Sequence, residues 1–437
     1  MATEADTALS ALPAAGIERA RMRALVATFF GNTLEWFDFI TYGILASYIA
    51  RAFFRSGDAH TALLETFAVF GVGFLLRPLG AVAIGWVGDT HGRKPAFLLS
   101  IVTMTVGTLM IALLPPYAMI GMVAPILLLL ARLLQGFSAG GELGVAISFL
   151  SEWSPPGRRG YFSSFLSMTV ALGSLLASAI AAILISLLSP DDMAAWGWRI
   201  PFLIGGLLGV IGRFIRASVD ETPAYRTLRR TVSRTRSSPP IARSDLRRGL
   251  VAFGLTIHWT VCFYMFLVYL PIYARVHAGL APALAAWSNT ICLLTIATLV
   301  PIVGLLSDRF GRRPFLIASC AMIALMTLPA LWLILATRSF AIMVGVQLVF
   351  GLAIALYSGP APAFMAELFP TQNRARLSAT SYAFAAALFG GFAPFIGDWL
   401  ISVTGSPYAP TLYVVSAALI SLFVVLKSAE SATMSIK

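Results

Sequence analysis

GWVGDTHGRKP, residues 85–95, decides the fold, because a second copy, GLLSDRFGRRP, occupies residues 304–314. Gly85, Asp89, Gly92, Arg93, Lys94 and Pro95 recur as Gly304, Asp308, Gly311, Arg312, Arg313 and Pro314, 219 positions later. Each copy ends one long apolar run and starts the next, which is the position of a tight hairpin between two membrane helices. A second pair holds the same register: Glu152, Pro155 and Arg159 are matched 215 positions on by Glu367, Pro370 and Arg374. The same signposts in the same order in both halves mark a duplicated membrane protein built from parallel repeats.

Composition agrees. Of 437 residues, 58% are hydrophobic and 11% charged, with mean hydropathy +0.85, so most of the surface must face something apolar. The net charge of +12 does not indicate nucleic acid, because about 24 of the 31 Lys and Arg fall on segments that the positive-inside rule places on one side. That asymmetry is an orientation signal and places both termini of a multi-pass membrane protein in the cytoplasm. Cys262, Cys292 and Cys320 lie in apolar runs and offer neither a disulfide framework nor a metal site.

Crossing ~30 Å of hydrocarbon takes about 20 apolar residues. Twelve such runs are present, near 24–52, 61–87, 95–114, 119–150, 160–188 and 198–217, then 249–274, 282–306, 314–336, 340–366, 377–402 and 408–427. The expected architecture is an all-α membrane protein of two six-helix bundles, 1–217 and 249–437. Residues 218–248, with eight Arg and SSPP at 237–240, form a cytoplasmic linker. Loops this short leave no room for a soluble catalytic domain, and no phosphate-binding G-x-x-x-x-G-K-[ST] occurs. No cofactor and no metal is expected. Gly136, Gly140 and Gly144 repeat every fourth residue, a spacing for close helix packing.

The hairpin glycines allow a turn and a close approach, while the Asp and the basic pair form an ion pair at the membrane face. Such a cluster is a latch that opens as the halves rock; the alternative is that its basic residues only set orientation. Here the chain resembles the major facilitator superfamily, whose hairpins after the second and eighth helices carry this signature. GNTLEWFDFITYG (31–43), GFLLRPLGA (73–81), RLLQGFSAGGELG (132–144), WGWRIPF (196–202) and FGGFAP (389–394) resemble its metabolite:proton symporters. The resemblance covers essentially the whole chain and implies twelve helices, a central cavity and alternating access. Members of that branch carry 2-oxoglutarate, citrate, shikimate, or osmolytes such as proline and betaine.

Ionisable groups at membrane depth are costly and become functional candidates by default. Asn32, Glu35, Asp38 and Tyr42 fall on one polar stripe of the first span, expected to face the cavity. At 1.5 Å per residue, Glu35 is ~17 Å deep, Asp38 ~21 Å and Arg77 ~18 Å. The expected mechanism is exchange: Arg77 pairs with a first-span carboxylate until a proton neutralises that acid and a substrate anion takes its place. A permanent structural ion pair is the alternative. Arg132 opens a stretch resembling the superfamily's proton-coupling motif on its fourth helix, and Glu142 lies near mid-depth. Arg199 is either a substrate contact, as the resemblance suggests, or an interface anchor beside Trp196 and Trp198. Tyr264 and Tyr357 are the second half's candidate substrate contacts, and Asp398 is expected to be solvated.

The expected function is proton-coupled import of a small organic anion, a di- or tricarboxylate such as 2-oxoglutarate or citrate, by a monomer. A neutral or zwitterionic solute is the alternative. A sensor without transport is disfavoured by the short loops, and an enzyme by the lack of any nucleophile with an adjacent base.

Overall fold

The computed structural model describes the backbone of residues 14–55, 57–91, 93–140, 147, 150, 154–155, 157–217, 243–370 and 374–431. Side chains are described for these except at 14–28, 88–91, 93–94, 97, 215–217, 243–244 and 375. Twelve helical spans follow in order, and no strand occurs among the described residues. In the first half they are α1 (Ala14–Ile44, continued by Ala46–Phe53), α2 (Ala59–Leu75 and Arg77–His91), α3 (Arg93–Leu113), α4 (Val123–Ser138), α5 (Arg159–Leu187) and α6 (Ile200–Ala217). In the second they are α7 (Arg243–Tyr264, Met265–Tyr269 and Leu270–His277), α8 (Pro282–Phe310), α9 (Arg313–Thr337) and α10 (Phe340–Ser358 and Ala361–Leu368). Then come α11 (Arg374–Ala385, Ala386–Gly390 and Ala393–Thr404) and α12 (Pro410–Lys427). Among the described residues eight helices are long and apolar enough to cross a bilayer; Leu98–Leu113 and Val123–Ser138 are shorter apolar helices. Residues 218–242, most of the expected linker, lie outside the described set, as do Gly92, Glu142, Gly144 and Glu152, and the described part of α7 starts at Arg243.

Proline marks the breaks that shape the site. Pro78 lacks the N–H that would continue α2, and the helix restarts at Arg77. Met265–Tyr269 and Ala386–Gly390 are π turns, with Pro271 and Pro394 following within a turn. The two bundles meet where α5 lies along α8, and where α1 and α2 meet α7 and α11.

Glycine sets how closely α2 and α4 approach. A Cβ at Gly136 would lie 1.7 Å from the Gly73 carbonyl oxygen, and one at Gly140 2.0 Å from that of Arg77. The backbones touch there, and Arg77 is fixed against α4. At Gly85, expected to serve close approach, nothing among the described residues lies within 4 Å of where its Cβ would be.

The second hairpin is an ion-paired cluster, with a reach the repeat alone did not show. Asp308 binds Arg312 at 2.7 Å, both buried, and also accepts the N–H groups of Gly160 (2.8 Å) and Tyr161 (2.9 Å). It thereby caps α5 of the other half, where unpaired N–H groups and the helix dipole favour an anion. Gly304 and Gly160 permit the contact: a Cβ on Gly160 would strike the Arg312 guanidinium at 2.3 Å. Gly311 has φ +90°, a conformation that glycine adopts without strain. Glu367 adds a second carboxylate 3.3 Å from Arg312, near Arg159. Arg374 and Arg313 cap helix ends instead, bonding the carbonyls of Ala366 and of Val425 and Leu426. Glu430, beyond α12, accepts the N–H groups of Arg312 and Arg313, and Ser431 donates to Glu367. The side chains of Asp89, Arg93 and Lys94 in the first hairpin lie outside the described residues.

Two outcomes follow. Gly136→Val destabilises the protein by about 1–3 kcal/mol or more through forced backbone separation, while Gly85→Ala leaves the thermal midpoint in detergent unchanged; equal midpoints for the two variants would contradict this packing. Asp308→Asn weakens charge-assisted bonds of about 1.5–3 kcal/mol each. A thiol introduced by Ser164→Cys, buried in the α5–α8 seam, then reacts with a water-soluble maleimide at least about tenfold faster; unchanged labelling would show that the latch does not hold the seam.

Candidate functional site

The polar stripe of α1 divides among its neighbours instead of facing one cavity. The Asn32 amide donates to Thr169 Oγ1 at 2.7 Å on α5, and the Tyr42 hydroxyl donates to the Thr66 carbonyl at 3.2 Å on α2. Asp38, 3% exposed, turns toward α3 and α6. The Thr108 side chain lies beside it, and a Cβ at Gly205 would lie 1.9 Å from its Oδ1. Only glycine at 205 leaves room for that carboxylate. Among the described residues its Oδ1 has no hydrogen-bond partner.

Asp38 belongs to a polar chain inside the first bundle. Thr108 accepts from Gln135 Nε2 at 2.9 Å, and Gln135 Oε1 accepts from Arg132 at 2.7 Å. Arg132 is fully buried and stands over the rings of Phe39 (4.2 Å), Tyr42 (4.4 Å) and Phe70 (5.0 Å). A guanidinium is held at this depth by the negative faces of aromatic rings and one amide oxygen. The sequence singled out Asp38 and Arg132 separately; Thr108 and Gln135, which join them, have no signal beyond ordinary helix polarity.

Arg77 is 3% exposed and lies at the seam between the bundles. Its guanidinium is 4.2 Å from the Phe74 ring, 4.5 Å from Phe39 and 5.6 Å from Trp36. The phenols of Tyr264 on α7 and Tyr382 on α11 lie beside it, and the Glu35 carboxylate also acts on Tyr382. Arg77 Nε has no hydrogen-bond partner among the described residues, and neither has the Tyr264 hydroxyl. Arg77 and Glu35 both act on Tyr382, and Glu35 also lines, with Asp38, a second pocket beside Ser100, Thr105 and Ser138.

A central cavity adjoins this group. Its walls include Trp36 of α1, Leu166 and Ser167 of α5, Trp259 and Tyr264 of α7, and Tyr382 of α11. Arg77 stands behind the Tyr264 and Tyr382 wall. Away from the hairpin face the cavity is sealed by rings: Tyr264 packs against Phe70 and Phe74, and Phe67 against Tyr269. Gly71 and Gly391 let Phe392 and Phe74 press onto the opposing helix. Trp36, Trp259 and Tyr382 went unnoticed in the sequence because an aromatic residue on an apolar helix has no distinguishing spacing.

Four expected substrate contacts sit elsewhere. Asn32 and Tyr42 are engaged as described, and the Tyr357 hydroxyl donates to the Leu255 carbonyl at 2.6 Å. Arg199 donates to the carbonyls of Ala112 and Leu114 at 2.7 and 2.8 Å and stacks 4.4 Å from the Trp198 ring. It lines a vestibule with Arg51 and Arg55 at the face opposite the hairpins. Tyr42, Tyr357 and Arg199 spend their donors on backbone carbonyls and Asn32 on a neighbouring hydroxyl, as buried polar groups usually do. Asp398, expected to be solvated, is 2% exposed.

Comparison with known proteins agrees with this architecture. Residues 23–239 match the family described as sugar (and other) transporter, and residues 275–434 the Major Facilitator Superfamily. The alpha-ketoglutarate permease of Escherichia coli is 37% identical over 97% of this chain and 98% of its own length. The citrate-proton symporter of Klebsiella pneumoniae is 35% identical over 92% of this chain and 90% of its own. The glycine betaine/proline/ectoine/pipecolic acid transporter of Dickeya dadantii is 34% identical over 96% and 86%. Among solved structures, the D-xylose-proton symporter superposes with TM-score 0.75 at 16% identity, covering 94% of this chain and 98% of that one. The chain is thus a membrane transporter, not an enzyme, and it belongs to the major facilitator superfamily, among its metabolite:proton symporters.

Proposed function

We propose that this protein imports a small organic anion, a di- or tricarboxylate such as 2-oxoglutarate or citrate, together with protons, by alternating access in a bacterial inner membrane. In this reading the hairpin face and both termini are cytoplasmic. The observation that carries it is Arg77: a buried guanidinium at the seam with an unfilled Nε, set behind two phenols of the central cavity. An unsatisfied donor on a desolvated cation is costly, and a solute carboxylate would satisfy it. Glu35 competes for the same cation across Tyr382. A proton on Glu35 removes that competition and opens Arg77 to the solute; loss of the proton inside restores the competition and expels the solute. Asp38, through Thr108, Gln135 and Arg132, offers a second buried carboxylate in the same bundle.

A zwitterionic solute is the second reading, favoured by a specific observation. The cavity wall carries Trp36, Trp259, Tyr264 and Tyr382, and ring faces of this kind attract quaternary or secondary ammonium groups. The solutes named for the relatives above, from alpha-ketoglutarate to glycine betaine, all carry a carboxylate. Arg77 suits either class, so the charge on the rest of the solute distinguishes them.

Counterflow in proteoliposomes tests the proposal. 2-Oxoglutarate or citrate should compete with the transported solute better than glycine betaine or proline, and Arg77→Ala should lower uptake at limiting solute by about 10- to 100-fold, the equivalent of one or two charged hydrogen bonds. Stronger competition by betaine would favour the zwitterion. Glu35→Gln should keep counterflow but lose accumulation driven by a pH gradient; intact accumulation would remove Glu35 from the coupling step.

A further inference from the structure

The seam between the bundles ends, away from the hairpins, in a group of ionisable side chains that the central site does not use. His60, in the first turn of α2, reaches across to α11, where its Nε2 lies 3.1 Å from Asp398 Oδ2. The other Asp398 oxygen accepts the Tyr269 hydroxyl at 3.1 Å, from the π turn of α7. The partners are unequally placed. Asp398 is 2% exposed, whereas the His60 side chain is 31% exposed and open to water at this face.

The other groups around His60 are few. Asp58 caps its own helix and is held below the usual carboxylate range by the N–H groups of His60 and Thr61, so it remains an anion at neutral pH. From α7, His277 is close enough for the His60 charge to act on it, and the Tyr273 ring lies tilted 4.8 Å from His277. Directly beneath this layer, Phe67 meets Tyr269 and Phe392 fills the space over Gly71. His60–Asp398 is therefore a tie between the first bundle and the second above the rings that seal the cavity.

We propose that His60, Asp398 and Tyr269 form the outer gate of the transport cycle, and that protonation of His60 from the outer solution strengthens its closed state. Imidazole is the side chain whose ordinary titration falls within about pH 5–8. A protonated His60 gains a buried carboxylate only when α2 and α11 are together, so its charge favours the closed state. Acidifying the outer solution therefore favours closure, and an uncharged imidazole loses the tie. Neutral His60 leaves Asp398 with the Tyr269 hydroxyl and frees α2 to swing away. The gate responds on the outer side, so its proton is distinct from one carried past Arg77. The proposal rests on alternating access but not on any choice of substrate.

The test uses the full-length protein in lipid nanodiscs with Gly57→Cys and Ser402→Cys, both exposed positions near the gate, spin-labelled for distance measurement. The native thiols Cys262, Cys292 and Cys320 are buried. The short-distance population should grow as pH falls within about 5–8. His60→Asn should abolish that dependence, His60→Arg should hold the short distance at every pH, and His277→Asn should leave the dependence in place. A pH response that persists in His60→Asn, or a parent protein whose distances ignore pH, would overturn the proposal. His60→Arg, which keeps the cation, tests it even if His60→Asn does not fold. Because no solute is present, failure here is separable from failure of the anion reading, which the counterflow competition decides.

Discussion

A guanidinium in the middle of a bilayer cannot shed its charge, so it must be surrounded, and the first half of this protein is arranged around two of them. Arg132 is enclosed by Phe39, Tyr42 and Phe70, and Arg77 by Phe39, Phe74 and Trp36. Phe39 serves both, so the two cations share a wall. Ring faces provide attraction without neutralising either cation, which in the proposed cycle leaves Arg77 available to an anion that arrives and leaves. A permanent carboxylate pair would satisfy the same charge and remove that availability.

The remaining architecture divides labour along the bilayer normal. At the hairpin face the halves are tied by a carboxylate on a helix terminus, Asp308 on the N–H groups of Gly160 and Tyr161. In the middle they meet around a cavity walled by Trp36, Trp259, Tyr264 and Tyr382. Beyond it they are sealed by rings and tied by His60 and Asp398. The ties at the two faces differ in chemistry, one built on backbone donors and one on an imidazole. The π turns of α7 and α11 lie beside the middle and outer layers, where a helix that is already wound irregularly bends most readily.

What could be read from the residues alone followed how local each interaction is. The duplicated hairpin showed two halves and their order, and the Asp308–Arg312 pair was legible because its members are four residues apart on one chain segment. The cap that Asp308 places on α5 was not, because its partners are 147 and 148 residues away. Helical spacing put Asn32, Glu35, Asp38 and Tyr42 on one side of α1, but that arc is wide enough to touch several neighbours: Asn32 turned to α5 and Tyr42 to α2, while Glu35 and Asp38 line one pocket. Arg199 looked like a ligand for an anion and instead binds two carbonyls. Asp398 looked solvated because it is near a helix end, whereas a histidine from the opposite bundle covers it.

The central claim is that one buried cation is shared between an acid of α1 and the solute, with a proton deciding which. Calorimetric titration of the purified protein with its solute, in buffers of different ionisation enthalpy, measures protons taken up on binding. Net proton uptake that disappears in Glu35→Gln is the predicted result; binding with no proton exchange, or exchange that survives that substitution, would contradict the account.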